Sequence, residues 1–233
     1  MFSTFIAPII LHCVKDTLIK SKAVLFDFDG TLADTMRDHY AAWEKASLDY
    51  GIKLNPEDYY PLEGTNVFEI AKRLFKINQI SSDEKELVQK KEKYYLDKYT
   101  INIYPGVEYL INKLRSYKIK LGIVTTGLRK RIFSSVPKQF LDMFDVIICG
   151  DDTVKGKPFP DPYLKGMKKL ILKPKECIIV ENSPIGVESA KATGAYCIAI
   201  CSTLGDEYFT KADVIFNSFE VMSRSDVFDH MLG

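Results

Sequence analysis

Residues 23–34 read AVLFDFDGTLAD: four consecutive apolar residues, then acid, aromatic, acid and a glycine turn. A strand with one wet face alternates apolar and polar side chains. An uninterrupted apolar run suits a strand buried on both faces, as in a parallel sheet covered by helices. The same pattern recurs at KLGIVTT (120–126), DVIICGD (145–151), CIIVEN (177–182), AYCIAIC (195–201) and ADVIF (212–216). Helical signals separate the runs. Val107, Leu110, Ile111 and Leu114 form an i, i+3, i+4, i+7 stripe behind Pro105-Gly106. Ser183-Pro184 reads as N-cap and first turn of another helix, and Gly194 as its stop. Alternating strands and helices predict a doubly wound α/β fold with a mainly parallel sheet.

One interval breaks the alternation. From 35 to 104 the sequence carries helical patterns and no strand. Met36, Tyr40, Trp43 and Ser47 share one face, Val67, Ile70, Ala71, Leu74 and Phe75 make a second stripe, and 82–99 is a charged, helix-favouring run. The mixed signs across Lys85–Lys98 read as a solvated helix face. The interval far exceeds a βα connection, which takes about 2–6 residues. The expected organisation is therefore an α/β core from 22–34 plus 105–233 and an all-helical inserted domain at 35–104. Hinges fall near Ala33–Thr35 and Ile103–Gly106. Eight of the 13 tyrosines (40, 50, 59, 60, 94, 95, 99, 104) lie in the insert, where they are expected to fill its core.

Residues 1–21 are an N-terminal extension. Its apolar start, MFSTFIAPIILHCV, has no basic leader, is interrupted by Pro8 and His12, and is shorter than the roughly 20 apolar residues a bilayer span needs. A chain of 233 residues with 46% hydrophobic and 27% charged residues is neither disordered nor fibrous. Lys+Arg 32 against Asp+Glu 31 gives net charge +1, so no basic field exists to hold a nucleic acid or an anionic membrane. The five cysteines form no Cys-x-x-Cys pair, and with three histidines none has zinc spacing. A reducing, cytoplasmic setting is expected, as a monomer or weak dimer.

Ligands of open α/β sheets bind beyond the carboxyl ends of the strands. Those ends carry Asp27 and Asp29, then Thr125 and Thr126, then Asp151 and Asp152, then Glu181 and Asn182. Residues i and i+2 of a strand point to the same side, so Asp27 and Asp29 address one point, where a cation or proton must relieve their repulsion. Oxygen donors without thiolate or imidazole select a hard ion, Mg²⁺ above all. Lys157, in the proline-restricted GKPFPDPY, and the hydroxyl and amide donors of Thr125–Gly127 complete an anion cradle suited to a phosphoryl group.

Taken together, DFDGTLAD from Asp27, the strand ending in Thr125, Lys157 in GKPFPDP, and Glu181-Asn-Ser-Pro-Ile-Gly-Val resemble the four ordered motifs of the haloacid dehalogenase (HAD) superfamily. The helical insert resembles the cap of the subgroup holding β-phosphoglucomutase and many sugar-phosphate phosphatases. The resemblance spans roughly 22–217 and implies a Rossmann-like core. It further implies that Asp27 is a nucleophile forming an aspartyl-phosphate, that Asp29 is the general acid/base, and that Thr125 and the Thr126 amide bind phosphoryl oxygens, with Gly127 beside them. Lys157 would neutralise charge, and His39 would occupy a cap-hinge position near the substrate. Mg²⁺ would be held by Asp27, the Asp29 backbone carbonyl and the fourth-motif pair Glu181 and Asn182. The presence of Asp29 favours phosphate esters over C–Cl or C–P bonds.

Two departures matter. Asn182 stands where many relatives carry Asp, so the site loses one negative charge and weaker metal binding is expected. Asn66, Val67 and Phe68 follow the Leu62–Gly64 turn where the mutase resemblance calls for an Arg. The expected function is a Mg²⁺-dependent phosphatase acting on a small sugar or polyol phosphate. The alternatives are a phosphosugar mutase and a non-catalytic phospho-Asp switch. For His39 and Trp43, one helical turn apart, a plain surface His beside a core Trp stands against the site reading. Asp151 and Asp152 either support Lys157 or cap a loop.

Overall fold

The computed structural model describes residues 21–99 and 101–229. Every apolar run becomes a strand: β1 (Ala23–Phe26), β2 (Lys120–Val124), β3 (Val146–Ile148), β4 (Cys177–Glu181), β5 (Tyr196–Ile200) and β6 (Val214–Phe216). They form one parallel sheet in the order β3-β2-β1-β4-β5-β6. Strand β1 is central, with Phe26 in register with Ile123 on one side and Val180 on the other. Its side chains alternate between two cores. Val24 and Phe26 join Leu110, Leu114 and Phe219 on one face, while Ala23 and Leu25 join Tyr163, Met167 and Val187 on the other. That two-sided burial is why the runs carry no polar alternation.

Helices cover both faces, and the sheet order reverses direction beside β1, so its carboxyl end opens into a crevice. Between β1 and β2 lie α1 (Met36–Leu48), α2 (Val67–Ile77) and α3 (Glu84–Lys98), then α4 (Val107–Ser116). Helices α1–α3 share a third core of Trp43, Ala46, Ile70, Leu74, Phe75 and Leu87, separate from the other two. The chain leaves and re-enters the sheet layer through paired linkers. Ala33 bridges Ile103 antiparallel, the Asp34 amide donates to the Asn102 carbonyl at 2.8 Å, and the Tyr104 amide donates to the Leu32 carbonyl at 3.0 Å. After β2 comes α5 (Arg129–Ser135), and α6 (Asp161–Leu170), α7 (Pro184–Thr193) and α8 (Phe219–Arg224) follow the later strands. Ser183 caps α7 as expected, its hydroxyl accepting from the Gly186 amide.

The solvated-face reading of Lys85–Lys98 is corrected here. Leu87, Val88, Lys91 and Tyr95 are buried along α3, one side of which packs on α1 and α2. The charged residues between them hid the stripe. Residues 1–20 of the expected N-terminal extension lie outside the described residues, as do 230–233. Cys149, Cys177, Cys197 and Cys201 are free thiols. Among the described residues no helix is long and apolar enough to cross a membrane.

Leu87 is fully buried in α3, so Leu87→Ala is expected to cost about 3 kcal/mol by leaving a cavity. Trp43, the single tryptophan, sits in the same cluster. A urea titration followed by its fluorescence therefore reports on this segment. A midpoint unchanged from the parent would show that α3 does not pack as described.

Candidate active site

The crevice is built around one ammonium. Lys157 Nζ donates to Asp27 Oδ1 at 2.6 Å, Glu181 Oε1 at 2.6 Å and the Val124 carbonyl at 3.0 Å. Three protons meet three acceptors, one from the end of each of β1, β2 and β4. Burial works against a charged lysine, but Asp27 and Glu181 outweigh it and its pKa is raised. Burial lifts the Asp27 carboxyl to about 7, Lys157 opposing and Glu181 adding to the rise. Glu181 is differently placed from the expected metal ligand. Its Oε1 also accepts from the Tyr163 hydroxyl at 2.7 Å, and its Oε2 accepts from the Asn182 and Ser183 amides and the Ser183 hydroxyl. Both oxygens are committed, so Glu181 anchors Lys157 rather than reaching a cation directly.

Asp29 lies beyond β1 with Asp27 and faces the same cavity, as the i, i+2 spacing predicts. Its carboxylate is gripped by different groups. Arg131, from α5, donates through Nη1 at 3.1 Å and through Nη2, His39 Nε2 stands at 3.0 Å, and the Thr35 hydroxyl donates at 2.8 Å. Burial would raise Asp29, yet Arg131 and His39 hold its pKa well below the usual carboxylate range. Lys91 Nζ stands 3.0 Å from His39 Nδ1. An ammonium only donates, so the imidazole proton sits on Nε2 and points at Asp29. Burial and the Lys91 charge push His39 down to about 4, keeping it neutral. His39 stacks on Tyr95 with centroids 4.2 Å apart. It thus orients Asp29 instead of lying on a solvated surface. Lys91 also donates to Glu92 Oε1 at 2.8 Å, and Glu92 Oε2 lies 3.9 Å from Arg131 Nε.

The loop after β2 differs in detail from the expected cradle. Thr126 and Gly127 line the cavity. The Gly127 amide, however, donates to Thr125 Oγ1 at 3.0 Å and its carbonyl accepts from the Gly150 amide. Gly127 therefore offers no free amide to an anion. What it offers is room, because a Cβ there would run into the Arg131 guanidinium. Thr125 is buried, with its hydroxyl proton left to donate onward. Asp151 and Asp152 do not touch Lys157. Asp151 accepts from the Arg129 amide at the start of α5, and Asp152 binds the Arg129 side chain and the Cys149 amide. They staple the loops after β2 and β3.

The cavity itself is small, 40 Å³, and closed on its far side by the insert. The Glu63–Thr65 turn forms that wall. Gly64, at φ +78°, presses on the Ser183 side chain so closely that no Cβ would fit. The Thr65 hydroxyl and Asn182 Nδ2 have no hydrogen-bond partner among the described residues, and the Glu63 carboxyl is buried beside the Thr203 hydroxyl. Burial pushes the Glu63 carboxyl up to about 8, the Thr203 hydroxyl opposing and the charges of Asp27 and Asp29 adding.

A hard cation fits these donors. Lys157 takes Asp27 Oδ1 and leaves Oδ2, and Asn182 Oδ1 accepts from Thr31 while Nδ2 is orphaned. Turning the amide over directs its oxygen inward and still satisfies the Thr31 hydroxyl, which can accept as well as donate. Among the described residues no three His, Cys, Asp or Glu side chains converge in metal-holding geometry. Mg²⁺, which commonly keeps several waters, needs no such cluster.

Of the residues singled out from the sequence, Asp27, Asp29, His39, Thr126, Gly127 and Asn182 line one cavity, with Lys157 and Glu181 bonded behind Asp27, whereas Arg131, Lys91, Glu92, Thr35 and Glu63 were not singled out. Arg131 and Lys91 are buried cations in stretches that look solvent-facing, and nothing local betrays partners that distant in sequence. Glu63 adjoins the glycine turn already singled out, the one signal that pointed toward it.

A profile described as haloacid dehalogenase-like hydrolase matches residues 24–200. Protein CbbY of Rhodobacter capsulatus is 32% identical over 207 residues, covering 82% of this chain and 91% of that one. Hexitol phosphatase A of Escherichia coli is 27% identical, covering 87% and 93%. Among solved structures, a putative β-phosphoglucomutase from Bacteroides vulgatus superposes with a TM-score of 0.83 at 26% identity, covering 95% of this chain and 98% of that one.

Glu63 provides a test of the wall. Its folded pKa of about 8 lies above the unfolded value of 4.5, so the carboxyl is neutral in the fold at low pH. The stability it contributes is lost as pH rises from the unfolded value through about 8. Glu63→Gln mimics the neutral acid. Its Tm is expected to match the parent at acidic pH and to exceed it by a few degrees above pH 8. A gap independent of pH would place Glu63 in water.

Proposed function

The chain belongs to the haloacid dehalogenase-like hydrolase family and is a hydrolase of phosphate monoesters; from that premise we propose that it hydrolyses small sugar or polyol phosphates through an aspartyl-phosphate on Asp27. The observation that carries this reading is the pair of carboxylates on one cavity, each held by its own set of donors. Lys157 is bonded to Asp27, and Arg131 and His39 are bonded to Asp29. Such a division sets the two carboxyls apart, and the assigned roles require Asp27 ionised and Asp29 protonated once substrate is bound.

Asp27 attacks phosphorus as the carboxylate and the ester P–O bond breaks; the leaving alkoxide takes a proton from Asp29, which first has to pick that proton up from solvent as its bonds to Arg131 and His39 open. Water then attacks the aspartyl-phosphate, giving its proton to Asp29, and Asp27 is regenerated as phosphate leaves. Lys157 stays bonded to Asp27 and balances charge throughout. Thr125 and the Thr126 amide orient the phosphoryl oxygens. Mg²⁺ would be held by Asp27, the Asp29 backbone carbonyl and Asn182, and there it supplies positive charge facing the phosphoryl oxygens. The insert acts as a cap that excludes bulk water and chooses the leaving group.

The sugar or polyol class rests on the cap wall. Glu63 and Thr65 present polar oxygens to the cavity, and hydroxyl-rich leaving groups pair with such groups. None of the three positions that follow that turn, Asn66, Val67 and Phe68, supplies a cation for a second phosphate. Asn66 spends its side chain capping α2 on the Phe68 amide, and Val67 is buried. This counts against the mutase.

Phosphate release from a panel of phosphorylated sugars, polyols and small acids with Mg²⁺ tests the reading. A sugar or polyol phosphate should stand out, and Asp27→Asn should lose about a thousandfold or more in kcat. Asp29→Asn should lose about 10²–10⁴-fold. Interconversion of phosphosugars with little phosphate released would favour the mutase, and a stable phospho-Asp without turnover the switch. Restoring charge with Asn182→Asp should tighten Mg²⁺ binding about tenfold, read by calorimetry. Unchanged affinity would remove Asn182 from the metal site.

A further inference from the structure

Arg131 has a place that pairing with Asp29 alone does not explain. It is almost fully buried, stands on α5 immediately after the phosphoryl-binding loop, and lines the same cavity as Asp27, Thr126 and Asn182. Gly127 keeps the guanidinium against the loop backbone, since any side chain at 127 would displace it. The Arg131 guanidinium carbon lies 5.3 Å from the centroid of the Tyr95 ring, within cation–π reach. Two N–H groups are spent on Asp29. An Asp29 that exchanges protons with a leaving group and a water has to be free of that grip during the reaction.

We propose that Arg131 is a catalytic residue whose guanidinium passes from Asp29 to the phosphoryl group. The inference rests on the phosphatase reading above. At rest the two Nη groups neutralise Asp29. When a phosphoryl group enters the cavity, the same fork turns on Tyr95 to meet two equatorial oxygens, a geometry that matches planar, bidentate recognition. Asp29 is released toward the leaving oxygen at the moment charge accumulates on the phosphoryl group. Lys157 cannot take this part, because all three of its protons are engaged by Asp27, Glu181 and the Val124 carbonyl. Arg131 is then the mobile cation of the site and Lys157 the fixed one.

Orthovanadate, which adopts the trigonal-bipyramidal form of the transition state, and inorganic phosphate separate the two roles of Arg131. Calorimetry with Mg²⁺ on the full chain needs no turnover. Arg131→Ala is expected to weaken orthovanadate about a hundredfold and phosphate only a fewfold. It should also lower kcat for acetyl phosphate about a hundredfold with little change in KM, and free guanidinium ion should restore part of the loss. Arg131→Gln, close in size, is measured alongside in case the alanine variant is unstable. Equal weakening of orthovanadate and phosphate, or unchanged orthovanadate affinity in either folded variant, would overturn the proposal and leave Arg131 a structural partner of Asp29. Failure of the parent protein to hydrolyse any panel compound would instead strike at the phosphatase reading, while the orthovanadate comparison still decides the role of Arg131.

Discussion

One ammonium group holds the crevice together. Lys157 is bonded to residues at the carboxyl ends of three neighbouring strands at once, so the position of the Asp27 carboxylate depends on the register of β1, β2 and β4 together. Two buried carboxylates within reach of each other would repel strongly, and the shared cation converts that repulsion into a fixed triad. The Tyr163 hydroxyl and the amides around Glu181 complete the anchoring. Removing one partner of such a buried set leaves an uncompensated charge, so the sheet and the site stand or fall together.

A second set of charges links the insert to the sheet. Asp29 and Arg131 come from the sheet layer, while Thr35, His39, Lys91 and Glu92 come from the helical segment and its entry. Positive and negative groups alternate through this chain and largely cancel. Thr35, His39, Lys91 and Arg131 are buried and Asp29 and Glu92 nearly so, which makes each contact sensitive to small displacements of the helices. The helical segment is therefore coupled to Asp29 through bonds rather than through shape alone.

Much of this was legible before any coordinates. The apolar runs announced a two-sided sheet, the 70-residue interval announced the insert, and acids at i and i+2 behind a strand announced the crevice. What stayed hidden had physical reasons. Arg131 pairs with an acid 102 residues away, and a charged residue in an amphipathic stretch looks the same whether water or a carboxylate receives it. Lys91 sits in a run whose other lysines are solvent-facing, which masked the buried stripe. Gly127 and Glu181 were found in the right place with the wrong partners. What a backbone amide or a carboxylate oxygen binds depends on loop geometry, and residue type does not encode that.

The paired linkers have a bearing on changes of length. Because Ala33 lies against Ile103 and the Asp34 and Tyr104 amides close the ribbon, everything between them hangs from a single stem. The stem fixes where that appendage leaves and rejoins the sheet, and the bonds to Asp29 and the Gly64 turn are the further contacts it has to keep. A change of length within the appendage that spares those contacts leaves the path of the sheet strands as it is.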